Sequence, residues 1–206
     1  MKKFFLVVVC LVVLVISTSC SGKFDRTKTD DIYCQIVLND NRKINLRLDY
    51  DRAPITVDNF IDLVEDNYYD NTIFHRVIED FMIQGGGYVM SAGVVKSKGK
   101  AKTIKGEFEA NGWKKNSIKH VPGVISMARS NDYNSASSQF FICSATYPSL
   151  DGKYAAFGKT TDTKSKQVII NISKVETYAY SKSFTDMPVN VIKIKTVKLS
   201  NSKFSE

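Results

Sequence analysis

The chain is poor in the residues that metal and redox chemistry require. Among 206 residues there are two histidines, four cysteines, one tryptophan and four prolines. His75 and His120 stand far apart and no CxxC or HxxxH spacing occurs, so a metal site is not expected. Cys10 and Cys20 fall in the first twenty residues, which leaves Cys34 and Cys143. Both lie in apolar, strand-like runs without a spacing signature; a disulfide between them is allowed outside the cell, but small buried hydrophobes are the expectation. The glycine run Gly85-Gly86-Gly87 is not GxGxxG and leads no long strand into a helix, which argues against a phosphate cradle. Ser135, Ser137 and Ser138 lack a nucleophile elbow and read as loop. No repeat of 20 to 50 residues is visible. Arginine clusters are also missing: the net charge of +8 comes mostly from scattered lysines, so nucleic acid is not an expected partner. The lysines are densest at Lys96, Lys98, Lys100, Lys102 and Lys105 and at Lys114, Lys115 and Lys119, which read as solvated loops. With 43% hydrophobic and 24% charged residues, the chain can bury a core, which excludes a disordered, collagenous or multi-span membrane protein.

What is present begins with a leader. Lys2-Lys3 precedes an apolar run from Phe4 to Ile16, followed by Ser17-Thr18-Ser19-Cys20. Such a run rises about 20 Å as a helix, short of the roughly 30 Å hydrocarbon core, so residues 1–19 read as a secretory signal rather than a permanent span. Ser17 stands where bacterial lipoboxes usually carry an aliphatic residue, and the segment also suits ordinary signal peptidase. A secreted protein has little reason to begin on a lone thiol, however, so Cys20 is the expected lipidation site. Loss of Lys2 and Lys3 takes the charge from +8 to +6. Residues 20–30 then form the anchor and a polar tether, 31–200 one folded domain and 201–206 a tail. The expected location is the outer face of a bacterial cytoplasmic membrane, with plain secretion as the alternative.

Within the domain, Ile32–Leu38 and Lys43–Tyr50 read as a hairpin around Asn39–Arg42. In the second run Ile44, Leu46 and Leu48 alternate with polar residues, which gives one buried face. Ala53-Pro54-Ile55-Thr56 introduces Val57, Phe60, Ile61 and Val64 at helical spacing, predicting an amphipathic helix that ends near Tyr68-Tyr69. Short β-rich segments follow at 72–78, 81–84, 103–108, 123–128, 139–143 and 154–158. A second helix is predicted over Thr163–Tyr178 and a last strand over Val189–Leu199. The fold class is mainly β. Many short strands with two isolated helices suggest a closed antiparallel barrel, because closure removes free edges. A hollow, ligand-carrying barrel is disfavoured by large inward residues such as Phe140.

Three motifs carry a resemblance to a known family: FHRVIEDFMIQGG from Phe74, GVISMARSNDYNSASSQFFI from Gly123, and LDGKYAAFG from Leu150. With Pro54–Phe60 they resemble the cyclophilin family of peptidyl-prolyl cis-trans isomerases, and the likeness runs from about Ile32 to Leu199. It implies a closed eight-stranded antiparallel barrel capped by two α-helices, with a substrate groove on the outer wall. It implies an isomerase of X-Pro bonds that needs no cofactor and binds proline-containing polypeptide segments; together with the leader, the chain reads as a monomer that assists the folding of exported proteins. Arg76 matches the family's catalytic arginine. Phe81, Met82, Phe141 and Leu150 match the lining of the proline pocket; Gln84, Ala128, Arg129 and Gln139 match residues beside the bound backbone. Tyr154 stands where many relatives have His. Ser149 replaces a rim Trp that is a family contact for cyclosporin, Arg129 a frequent Asn, and Gly87 a common Asp.

The chemistry of the bond is consistent with those residue types. Rotation about X-Pro breaks amide resonance over a barrier of about 18 to 20 kcal/mol. No nucleophile is needed. The enzyme has to grip the prolyl ring and favour the twisted amide, whose nitrogen has regained a lone pair and accepts a hydrogen bond. A fixed cationic donor suits that step, and arginine keeps its charge at every physiological pH. Alternation places Gln139 and Phe141 on one face of a strand and Phe140 on the other.

Overall fold

A computed structural model describes residues 24–99 and 101–205. The leader and Cys20 lie outside the described residues. The chain begins with the hairpin of β1 (Tyr33–Leu38) and β2 (Lys43–Leu48), followed by α1 (Pro54–Glu65). Three short strand pairs come next in order: β3 (Arg76–Ile78) with β4 (Met82–Gly85), β5 (Tyr88–Ser91) with β6 (Val94–Ser97), and β7 (Val124–Met127) with β8 (Phe140–Cys143). The C-terminal third comprises β9 (Ala156–Thr160), α2 (Thr163–Ser173), β10 (Thr177–Tyr178), β11 (Met187–Pro188) and β12 (Ile194–Ser200).

Eight strands make one antiparallel sheet in the order β12-β1-β2-β9-β7-β8-β4-β3. The expected closed barrel is therefore corrected to an open half-barrel, with β12 and β3 as its edges. The gap is spanned by the isolated bridge of Ile73 with Lys193 and by Asn71 N–H, which donates to Ile194 O at 2.9 Å. The edge of β3 is engaged elsewhere: Val77 donates its N–H to Asp186 O at 2.9 Å, on the arm that joins α2 to β12. The β10–β11 pair belongs to that arm and lies outside the main sheet.

Alternation along the strands fills the interior. Val77, Ile83, Ile142 and Ile125 pair across β3, β4, β8 and β7 and all belong to the main core. Phe60 from α1 packs against Tyr69, Phe140 and Phe157 with ring centroids 5.1, 6.0 and 5.3 Å apart, so aromatic rings occupy the space a hollow barrel would leave. Ile169 and Ile172 of α2 join the same core. The first residues of α1 have no side-chain cap at Ala53. Instead the fully buried Glu107 accepts from Ile55 N–H at 3.0 Å, Thr56 N–H at 2.8 Å and the Thr56 hydroxyl at 2.7 Å. A carboxylate at this end also complements the helix dipole.

Other expectations need correction. The run 103–108 is not a strand, because Ile104 bridges only Ala136 and Gly106 N–H turns to the Asn134 side chain. Helix α2 stops at Ser173, where Val175 N–H bonds Ile172 O and the chain enters β10. Helix α1 stops at Glu65, and the last strand begins at Ile194 rather than Val189. The β5–β6 hairpin was not expected and includes Lys96 from the first lysine stretch. Cys34 and Cys143 are both free and buried, as expected of small hydrophobes.

Candidate functional site

The outer face of the sheet carries a second row beside the core-facing one. Arg76 pairs with Gln84, Gln84 with Phe141 and Phe141 with Ser126, so these four side chains leave the same face of β3, β4, β8 and β7. One row further along, Ile78, Met82 and Cys143 are partners. Met82, Phe141 and Cys143 form a small apolar cluster of their own, with Phe81, Ala128, Leu150 and Tyr154 packed around it. Phe140 is fully buried in the main core, so consecutive phenylalanines serve opposite faces as alternation predicts.

A cleft of about 140 Å³ opens above this cluster. Phe81, Met82, Phe141 and Leu150 supply its apolar part, and Arg76, Gln84, Ala128, Arg129 and Tyr154 complete it. That size suits one small ring rather than a drug-sized ligand. An adjoining cleft of about 330 Å³ shares Gln84, Ala128 and Arg129 and adds Gln139 with Ser130, Ser135 and Ser137. Of the residues singled out from sequence, nine line the first cleft and Gln139 lines its neighbour. A larger opening of about 460 Å³ around Arg47, Asp49 and Arg52 has a mostly charged lining and lies away from these residues.

The polar members are held in distinct ways. Gln84 Nε2 donates to Gln139 Oε1 at 3.0 Å, which links the two clefts. Gly87 makes that link possible: a Cβ there would lie 2.5 Å from Gln139 Cγ, so the Asp common at this position would displace Gln139. Arg129 donates to Lys153 O through Nε at 3.1 Å and Nη2 at 2.9 Å, and to Ser130 O at 2.8 Å. Its guanidinium also lies 4.5 Å from the Tyr154 ring centroid, 4.9 Å from Tyr133 and 5.2 Å from Phe108. These bonds and cation–π contacts fix Arg129 as a wall of the cleft. Arg76 is less constrained, with Asp186 Oδ2 3.5 Å from its Nε. Ser149 is exposed on the short turn Pro148–Leu150, beside Leu150.

Behind Phe141 lies a group that the sequence reading missed. The His120 ring stacks on Phe141 at 5.9 Å and 17°. Its Nδ1 is 3.0 Å from Asp151 Oδ1 and its Nε2 is 3.1 Å from Ser126 Oγ. An ionised carboxylate cannot donate, so Nδ1 carries the proton and Nε2 accepts from the Ser126 hydroxyl. Burial lowers the His120 pKa against the opposing pull of Asp151, which keeps the ring neutral. Burial alone would raise the Asp151 pKa, but hydrogen bonds from His120 and Lys119 lower it. The connectivity is that of a Ser-His-Asp triad, yet Ser126 is fully buried and its hydroxyl meets no substrate. Its effect is to brace the back of Phe141. The only signal was His120 as a histidine with no assigned partner, since its partners lie 6 and 31 residues away.

His75, beside Arg76, is a packed histidine. It is buried against Tyr88 at 4.7 Å and Phe184 at 6.0 Å. Burial pushes its pKa down to about 4.

Comparisons with known proteins place the chain in a family. The family described as cyclophilin type peptidyl-prolyl cis-trans isomerase/CLD matches residues 33–199. Peptidyl-prolyl cis-trans isomerase A of Dickeya dadantii (strain 3937) is 38% identical over 161 residues, 76% of this chain and 78% of that protein. Peptidyl-prolyl cis-trans isomerase B of Escherichia coli (strain K12) is 37% identical over 158 residues, 73% of this chain and 89% of that protein. The crystal structure of a Cryptosporidium parvum cyclophilin type isomerase determined in the presence of the dipeptide Ala-Pro superposes with a TM-score of 0.62 at 26% identity. The alignment covers 84% of this chain and 99% of that one.

Proposed function

Because the chain belongs to the cyclophilin-type peptidyl-prolyl cis-trans isomerases, we propose that the cleft on β3, β4 and β8 is its active site and Arg76 its catalytic donor. The observation that carries this reading is the cross-strand row of Arg76, Gln84 and Phe141, which puts a cation, an amide and an apolar ring on one face of three neighbouring strands, all lining one cleft. A prolyl ring enters the cup of Phe81, Met82, Phe141 and Leu150. Gln84, Gln139, Ala128 and the Arg129 wall flank the backbone on either side of it. Arg76 then donates to the prolyl nitrogen as the amide twists, an interaction unavailable to the planar ground state.

The size of that contribution follows from the rate. A barrier of about 20 kcal/mol gives roughly 0.01 per second uncatalysed, so acceleration by about 10⁵ needs roughly 7 kcal/mol of differential stabilisation. A charge-assisted donor in a partly water-excluded cleft supplies about 3 to 4 kcal/mol, comparable to an oxyanion-hole donor. Arg76→Ala is accordingly expected to lose roughly 10² to 10³ in kcat/KM on a short X-Pro peptide, measured by exchange NMR on folded protein. Parental turnover in that variant would remove Arg76 from the mechanism.

The clients are proposed to be exported proteins, and the enzyme to be held at the outer face of a bacterial membrane through lipidated Cys20. The basis is the leader: a basic start, an apolar stretch too short to span, small residues and a cysteine. Mass analysis of the mature N-terminus is expected to find acyl chains on Cys20. A bare Cys20 would leave plain secretion.

A further inference from the structure

As the last strand of an open sheet, β3 has one side without a strand partner, and the arm after α2 occupies that side. Val77 N–H donates to Asp186 O at 2.9 Å. Phe184 packs edge-on against Tyr88 at 4.9 Å and against His75 at 6.0 Å. Met187 is buried and pairs with Tyr178 across β10–β11. Asp186 is thus held on both sides, by an aromatic anchor two residues before it and a buried methionine directly after it. Its carboxylate accepts the Thr185 hydroxyl at 2.8 Å and stands 3.5 Å from Arg76 Nε. Among the described residues it is the only carboxylate within ion-pair reach of Arg76, and neither Nη group of Arg76 donates to a described residue.

The geometry points to Asp186 as the positioning residue for Arg76. By holding the Nε edge of the guanidinium from the arm side, it leaves the Nη edge free for the cleft that Arg76 shares with Phe141 and Met82. An arginine has four rotatable side-chain bonds, and this one is 43% exposed; without a fixed partner it samples many orientations in water. The open edge of the half-barrel therefore has a use, since it lets the arm bring a carboxylate to the strand that carries the arginine. This inference rests on the reading of Arg76 as the donor.

An exposed ion pair contributes little to folding stability, so the effect belongs in the reaction and not in the melting curve. Asp186→Asn keeps the side-chain shape and the backbone bond to Val77 and removes the charge. Its thermal midpoint is expected to match the parent. Its kcat for an X-Pro peptide should fall 3- to 10-fold with KM unchanged, and the Arg76 Nε resonance should shift as the neighbouring charge is lost. Placed in Arg76→Ala, the same substitution should produce no further loss. An unchanged or increased kcat for Asp186→Asn, or an equal loss in the Arg76→Ala background, overturns the positioning role while leaving Arg76 as donor. If Arg76→Ala itself turns over like the parent, the donor reading fails first and the positioning role fails with it.

Discussion

Single residues on adjacent positions of this chain have opposite duties. Arg76 faces the cleft, whereas His75 is packed between Tyr88 and Phe184 with its Nδ1 unpartnered. The buried ring is neutral in the folded protein, and its pKa of about 4 lies below the unfolded value of about 6.5. The unfolded chain therefore binds the proton first, and stability falls as pH drops from about 6.5 towards 4, by about 3 kcal/mol in total for this residue. The His120 shift acts in the same direction. The lowered carboxylates Asp151 and Asp162 stabilise above their unfolded value near 3.8 and are lost only below it, so the histidine window comes first. Urea midpoints at pH 7 and pH 4.5 should differ less in His75→Gln than in the parent. An equal difference would mean that the ring is not held neutral by burial. At this scale the sequence was most legible where alternation and motif coincided, as for Arg76, Met82, Gln84 and Phe141. Asp186, Asp151 and Ser126 escaped because ion pairs and ring stacks across a fold leave no spacing to read.

Elements were legible where one period dominated. The β1–β2 hairpin has alternating Ile44, Leu46 and Leu48 and an Asn-rich turn in which Asn41 takes a φ of 66°, and α1 has its apolar positions at helical spacing. Legibility failed where a distant contact decided the outcome. Residues 103–108 have strand composition, but their donors go to Ala136 and to the Asn134 side chain. The α2 pattern continues through Val175, yet the chain leaves the helix to pair Thr177-Tyr178 with Met187-Pro188. The cap of α1 is a further case, since Glu107 lies 51 residues from Thr56. Nothing local marks it as a helix cap.

For the whole molecule, the difference between a closed barrel and an open half-barrel turned on the arm. Local patterns located the eight strands of the main sheet but say little about whether its edge strands meet; here the Ile73–Lys193 bridge and the Asn71 N–H bond to Ile194 O draw the two edges together, and the arm covers β3. What the open edge leaves intact is the outer face, with the apolar cup proposed to bind and the Arg76 cation proposed to act. The central claim is that these tasks are separate, with Phe141 contributing to both states of the substrate and Arg76 mainly to the twisted one. The most direct measurement is the affinity of a short proline peptide for Arg76→Ala and for Phe141→Ala, titrated by NMR alongside the parent. Arg76→Ala should bind within about threefold of the parent despite its lost turnover, while Phe141→Ala should bind at least tenfold more weakly. If Arg76→Ala loses affinity as steeply as it loses turnover, the arginine is a ground-state contact and the account of catalysis is contradicted.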